Sequence, residues 1–418
     1  MKALLQLAVA SALVASGGTS AAQQKTVGLR LPAWTPGELD IYAINTGRGD
    51  AQFFIFPDGT TMLEDASGGT KVGPAPFLIP SKPNGSRPPA EWVARFIKQV
   101  APRDNQKIDY AVLSHFHGDH MGIIVPDSPL SKNRAYQLSG ITEVPEFVPI
   151  AKIVDRGWPN YNYPVTIENA TMANYRKFLD WQTAHNGLRV EQFKPGHNDQ
   201  LTMLRDPKRF PEFEVRNIAA NGVVWTGKGS ASRNTVPPLT SLKRSDSPLE
   251  NNLSLVFRIS YGPFDYYTGG DLSSKPGETE FEPAAWKDIE SAVGQATGPV
   301  DVMKANHHAS WDANSSGLLS RLRPRVILVT ARADGHPAQN TYERMTSKRI
   351  WPGDRDIFIT NLSPSTRATT YDSKHAKSAQ GHVVVRVAPG GASYRVFVLE
   401  DGDESLRVKA EFGPYPSR

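Results

Sequence analysis

The stretch His115-Phe116-His117-Gly118-Asp119-His120 places three imidazoles and a carboxylate within six residues, in the pattern H-x-H-x-D-H. Borderline and hard cations such as zinc and manganese take neutral imidazole nitrogen and carboxylate oxygen as ligands. Residues two apart on an extended segment point the same way, so His115 and His117 can grip one ion. Gly118 then turns the chain and lets Asp119 and His120 reach a second. The chain holds ten histidines in 418 residues, and chance clustering explains such a stretch poorly.

Three more segments repeat one arrangement, a predicted strand that ends in a glycine, aspartate or histidine group: Gly269-Gly270-Asp271, Asn306-His307-His308 and Gly335-His336. Strand ends on one edge of a sheet converge in space, and α/β folds build their sites there. Together with the first stretch these segments hold six of the ten histidines. A carboxylate at Asp271 can bridge two ions about 3.5–4 Å apart, the spacing at which a shared hydroxide becomes a nucleophile. Either His307 or His308 then completes the shell of the second ion.

The elements that must position these residues are legible in outline. The run from Ile108 to Ser114 is apolar and reads as a buried strand opening into the first histidine loop. Leu39 to Asn45, Ala51 to Phe56 and Thr61 to Asp65 read as three short antiparallel strands, with Asp58-Gly59 as a hairpin turn. Residues 68–89 read as a loop. Glu91 to Val100 reads as an amphipathic helix with Trp92, Phe96, Ile97 and Val100 on one side.

From 126 to 248 the pattern loosens into what reads as an insertion on the rim of the site. It has a strand at Ile150 to Asp155, a helix at Ala170 to Ala184, one or two strands over Phe213 to Trp225, and a mobile polar loop at 227–248. Trp158, Tyr161 and Tyr163 either line a pocket there or pack the segment down. The regular pattern resumes with strands at Asn252 to Ser260 and Phe264 to Thr268 and a helix at Ala284 to Val293. A strand at Val300 to Ala305, a helix at Ser316 to Leu322 and strands at Val326 to Thr330, Ile357 to Thr360, Val383 to Val387 and Tyr394 to Leu399 complete it.

Residues 1–22 carry one lysine, an apolar run from Ala3 to Ala15 and then small residues, the form of a secretory signal peptide. The run is short of the roughly 20 residues that a membrane span needs, so a secreted or periplasmic protein is expected. Without cysteine the chain has neither disulfides nor thiolate ligands. A formal charge of +5 is compatible with anionic substrates and is too small to argue for nucleic acid.

The segments NTGRGDA (Asn45 to Ala51), FPDGTTMLEDAS (Phe56 to Ser67), LSHFHGDHMG (Leu113 to Gly122), NNLSLVFRISYGPFDYYTGGD (Asn251 to Asp271), DVMKANHHAS (Asp301 to Ser310) and GHP (Gly335 to Pro337) occur in an order that resembles the metallo-β-lactamase-fold hydrolases. Within them the chain is most similar to the branch typified by ComEC-like DNA-uptake proteins and phosphorylcholine esterases. The resemblance implies an α/β (α+β) protein, an αββα metallo-β-lactamase sandwich with the metals on the sheet edge.

It further implies two divalent ions, zinc or alternatively manganese, with His115 and His117 on the first, Asp119 and His120 on the second, Asp271 bridging and His308 as the remaining ligand. His307 and His336 would lie near the scissile group, either one a candidate acid, and Asp65 would brace the ligand loop. The chain departs from the family's pattern at Asn45-Thr46 and at Ala309, where a glycine is common. It also lacks a clear third histidine before Asp271, since His185 and His197 read as surface residues.

The expected function is therefore an exported binuclear hydrolase cleaving a small-molecule or polymeric phosphate ester or phosphodiester by attack of a metal-bound hydroxide. Lys304, Arg48 and Ser310 lie beside the ligand segments and either hold phosphate or are plain surface or turn residues. Hydrolysis of a lactone, thioester or amide is the alternative within enzymes. A binding protein that keeps the fold without turnover is the alternative outside them.

Overall fold

The computed structural model describes residues 26–69, 79–274, 284–370 and 375–418, so the predicted signal peptide lies outside the described residues. In chain order the strands are β1 (Leu39–Ala43), β2 (Gln52–Ile55), β3 (Thr61–Glu64), β4 (Tyr110–Val112), β5 (Lys152–Asp155), β6 (Arg189–Gln192), β7 (Phe213–Ala220), β8 (Val223–Trp225), β9 (Ser232–Asn234), β10 (Val256–Tyr261), β11 (Phe264–Thr268), β12 (Val302–Lys304), β13 (Val326–Val329), β14 (Asp356–Ile359), β15 (Ala376–Ser378), β16 (His382–Val387), β17 (Ser393–Leu399) and β18 (Val408–Pro416). The helices are α1 (Pro89–Val100), α2 (Gly118–Met121), α3 (Ala170–Asn186), α4 (Ile289–Thr297), α5 (Ser316–Leu322), α6 (Gln339–Thr346) and α7 (Pro364–Thr370).

Two nine-stranded sheets result, ordered β18-β17-β16-β1-β2-β3-β4-β5-β6 and β15-β14-β13-β12-β11-β10-β7-β8-β9. Each is antiparallel in one part and parallel in the other. In the first sheet the change falls at β3, which pairs antiparallel with β2 and parallel with β4; in the second it falls at β11, between β10 and β12. A parallel neighbour requires a crossover, and α1 and α4 lie within those two crossovers.

Side-chain alternation sorts these sheets into layers. Tyr110 and Val112 of β4, Val383 and Val385 of β16, Phe257 and Ile259 of β10 and Val326 and Leu328 of β13 all enter one core between the sheets. Their neighbours face outward. Ala111 and Val384 join α1 and α3 residues such as Val93, Phe178 and Leu179 in a second core, and Ile327 and Val329 join Val293, Leu318 and Leu319 in a third. The architecture is the αββα sandwich that the family resemblance implies.

Helix α3 shows how local sequence fixes an element. The Asn169 side chain accepts from the Met172 N–H and caps its start, and Gly187, left-handed at φ 66°, closes its end. The segment 126–248 needs correction in one respect: it supplies β5 and β6 to the first sheet and β7, β8 and β9 to the second, and is woven into both. The stretch 227–248, read as a mobile loop, contains β9 as the edge strand against β8. Both β6 and β9 are short and polar, lying at sheet edges where one face meets solvent, so no apolar alternation announced them.

Candidate metal centre

The first histidine loop leaves β4 at the edge where β3 also ends. Leu113 and Ser114 continue the strand, and α2 begins just after His117. Gly118 and Gly122 bracket this single turn, and the Gly122 N–H donates to the Gly118 carbonyl. Asp65, directly after β3, holds the loop from below. Its Oδ1 accepts from the Ser114 N–H at 2.8 Å, and its Oδ2 accepts from Ser114 Oγ at 2.6 Å and lies 2.7 Å from His120 Nδ1. With Nδ1 committed to Asp65, His120 offers Nε2 to the site.

Asp271 arrives from the second sheet at the end of β11. Gly270 makes the approach possible: at φ 53° it packs so closely that a Cβ there would sit 2.9 Å from Ser114 Cβ. Around Asp271 Oδ2 stand His120 Nε2 at 3.1 Å, His308 Nε2 at 3.4 Å, and His115 Nε2 and His307 Nε2 each at 3.8 Å. Asp119 Oδ2 is 3.0 Å from His308 Nε2 and 3.6 Å from His120 Nε2. The expected donors therefore meet at one rim, with Asp119 and His308 brought together from positions 189 residues apart.

They form two groups that share Asp271. His115, His117 and Asp271 can hold one ion, with only His117 exposed. His120, Asp271 and His308, all buried, can hold another, and Asp119 lies against the same nitrogens. Asp50 also falls within reach of that second group. His115 Nε2, His120 Nε2 and Asp271 Oδ1 are buried with no hydrogen-bond partner among the described residues. Buried polar atoms left unpaired in this way are costly unless something else satisfies them, and a divalent cation would do so.

The electrostatics point the same way. Burial disfavours a charged imidazole, yet His120 is pushed well above the ordinary value because Asp271, Asp65 and Asp119 surround it. His308 is raised likewise, against burial, by Asp271 and Asp50. Burial would raise Asp271, but His120, His308 and His307 hold its carboxyl well below the usual range. The pocket thus attracts positive charge, whether proton or metal.

His307 and His308 divide their tasks. The His308 ring turns Nε2 inward, while Nδ1 is 2.9 Å from the Thr330 carbonyl oxygen. His307 is partly exposed, with Nδ1 2.8 Å from Asp312 Oδ1 and Nε2 3.3 Å from Asn251 Nδ2. His307, His308 and Ala309 are all left-handed, at φ 49°, 53° and 61°. Such non-glycine residues cost about 1–2 kcal/mol each, and this conformation is the one a glycine at position 309 would adopt without strain. His336 stacks on His308 with ring centroids 5.1 Å apart and planes 10° from parallel, and burial lowers its pKa.

Two expectations about the surroundings change, those for Lys304 and Ser310. Lys304 does not face substrate: it is 1% exposed and its Nζ lies 2.5 Å from Asp50 Oδ2. Ser310 is buried too. Arg48 donates from Nε to Ser81 Oγ at 3.0 Å. The cation nearest the ligands is one the sequence reading passed over, Arg332, whose Nε is 2.5 Å from Asp119 Oδ2. His185 is a surface residue, as expected, and His197 lies by Asp199 with its side chain 38% exposed. Tyr161 is buried, its hydroxyl donating to Asp155 Oδ2 at 2.8 Å, so this aromatic packs the segment down.

The same segment also reaches the ligand loop. Arg156 donates from Nε to Glu250 Oε1 at 2.8 Å, and that oxygen accepts from the Phe116 N–H, also at 2.8 Å. The Arg156 guanidinium lies 4.5 Å from the Phe116 ring centre. Arg156 and Glu250 thereby clasp the residue between His115 and His117. The Arg156 side chain is 2% exposed and that of Glu250 18%, so removing the guanidinium strands a nearly buried carboxylate. Arg156→Leu is expected to lower the free energy of unfolding by about 3 kcal/mol, read from the urea midpoint. Arg95→Ala, which breaks a solvent-exposed pair with Glu404, leaves the midpoint in place. Equal midpoints for both variants would show that the clasp carries no load.

No family model matches this chain, and no curated protein matches it. Among solved structures it is similar to the metallo-beta-lactamase fold protein YhfI from Bacillus subtilis at 11% identity, over 77% of this chain and 96% of that one, with a TM-score of 0.36. It is similar to CmlA, a diiron beta-hydroxylase from Streptomyces venezuelae, at 12% identity and a TM-score of 0.40, over 77% of this chain and 53% of that one. Unliganded yeast PDE1 is similar at 11% identity and a TM-score of 0.30, over 80% of this chain and 90% of that one. The fold described above stands on its own sheets and strand ends rather than on these likenesses.

Proposed function

We propose that the protein is an exported metal-dependent hydrolase of a phosphate ester or phosphodiester, working with two divalent cations, zinc or manganese. The observation that carries the reading is Asp271 Oδ2, set within 3.1–3.8 Å of four imidazole nitrogens that come from two loops of opposite sheets. Two cations bound there would supply Lewis acidity and an activated water. His115, His117 and Asp271 would hold the first; Asp119, His120, His308 and Asp271 would hold the second. Asp65 and Thr330 fix which nitrogen His120 and His308 present.

The remaining groups supply charge and protons. Arg332, beside Asp119, sets a guanidinium where an anionic oxygen can accept from it. His307 is held at Nδ1 by Asp312, so its Nε2 can deliver a proton to a leaving oxygen. His336, stacked flat on His308, buttresses that ring. Export rests on residues 1–22; among the described residues no helix is long and apolar enough to cross a membrane.

The test is hydrolysis of bis-p-nitrophenyl phosphate against a monoester, a lactone and a β-lactam, with zinc or manganese added and with chelator. Diester cleavage that chelator abolishes is the expected result. Activity indifferent to chelator would remove the metal reading. Preference for the lactone or lactam would move the substrate class, and no turnover by a two-ion protein would leave a binding role.

A further inference from the structure

Behind the ligands lies an ion pair with no contact to solvent. Lys304 and Asp50 are each 1% exposed, and Lys304 Nζ is 2.5 Å from Asp50 Oδ2. Taking two charges out of water is costly, and an apolar pair of similar size often serves stability as well or better. A buried pair of this kind calls for a task other than holding the core together.

Its connections supply one. Lys304 Nζ donates to the Gly270 carbonyl at 3.0 Å, which fixes the peptide that leads into Asp271. Asp50 Oδ1 lies 3.1 Å from His308 Nδ1, the nitrogen that also faces the Thr330 carbonyl, so His308 keeps a hydrogen on Nδ1 and presents Nε2 on the side of Asp119 and Asp271. The Asp50 N–H donates to the Asp119 carbonyl at 3.0 Å. One pair thus touches the supports of Asp119, Asp271 and His308, three of the four residues proposed for the second ion. The Asp50 carboxylate lies within reach of that ion's donors. Its Oδ2 lies against the Lys304 ammonium and its Oδ1 against the Nδ1 edge of His308, although neither oxygen makes a hydrogen bond of good geometry among the described residues.

We infer that the Lys304–Asp50 pair is a positioning device for the second cation: it aligns the donors Asp119, Asp271 and His308 without itself binding the metal. The inference rests on the two-ion reading of the site. Lys304→Met removes the ammonium while leaving every imidazole and carboxylate in place. The double variant Asp50→Asn with Lys304→Met removes both charges, so no lone buried charge remains to unfold the protein.

The experiment is calorimetric titration of the metal-stripped protein with Zn2+, alongside the visible spectrum of the Co2+ form and the melting temperature. Wild type is expected to bind two ions. Lys304→Met should bind one ion at wild-type affinity and the other at least about tenfold more weakly, the usual scale for removing an outer partner of a ligand. The double variant should recover melting temperature without recovering that affinity, and its Co2+ spectrum should differ from wild type. A folded double variant that binds both ions as wild type does, with an unchanged spectrum, would overturn the inference and leave the two-ion reading standing. A wild-type protein that binds fewer than two ions would overturn both.

Discussion

Asp271→Asn is expected to depress turnover by at least about 100-fold at saturating metal. Partners that merely orient a ligand are worth about 10–100-fold in affinity or activity, so a carboxylate placed between both ion groups sets that figure as a floor. The substitution keeps shape and removes charge. Asp271 is buried, and its Oδ2 faces His120, His308, His115 and His307, so the amide would leave four imidazoles without the anion they surround. The measurement is kcat on the diester together with ion stoichiometry. Two ions retained and turnover within tenfold of wild type would show that Asp271 is no bridge.

The second large effect comes from a residue with no side chain. Gly49 has φ 148°, and a Cβ added there would lie 1.8 Å from the Asp119 carbonyl oxygen and 2.7 Å from its carbon. Neither is the end of a flexible side chain, so the backbone itself must move. Gly49→Ala is expected to cost about 3 kcal/mol or more, combining strain with loss of the Asp50 N–H bond to Asp119. It should also weaken binding of the ion proposed for Asp119. Gly85→Ala is the control, because a Cβ there meets nothing within 4 Å. Matching urea midpoints for the two variants would refute the close approach.

Much of this site can be read from residue order because its donors sit where predicted strands stop. His115 to His120 follow β4, Asp271 follows β11 and His307-His308 follow β12; an apolar run marks the first end, and glycine or histidine groups that stop short strands mark the other two. The bracing role of Asp65 is legible only through the family resemblance, and its bonds to Ser114 and His120 are those a brace requires. The choice between His307 and His308 was not legible, since two adjacent histidines differ only in backbone turn. Arg332, Asn251 and Asp312 were missed for a related reason: single polar residues in loops carry no periodic signal. Asp50 stood in plain view in Gly47-Arg48-Gly49-Asp50, but its partner Lys304 comes 254 positions later, and nothing local announces a pairing across two sheets.

Strand β18 escaped for another cause. Val408 to Pro416 carries Gly413-Pro414 within it and alternates burial only weakly, as an outermost strand can. Helices α6 and α7 are short and polar, and α7 begins at Pro364, a residue suited to a first turn but equally to a loop.

The way the two sheets trade strands bears on when the chain can become native. Leu39 of β1 pairs with Val387 of β16, and β17 and β18 then extend the same sheet. Until β16 has been made, β1 has a bare flank, and its row of amide groups stays open to water or to another chain. So distant a pairing also makes folding slow. Such a chain cannot complete its first sheet from the first strands alone: they wait for a partner that lies more than three hundred residues further along.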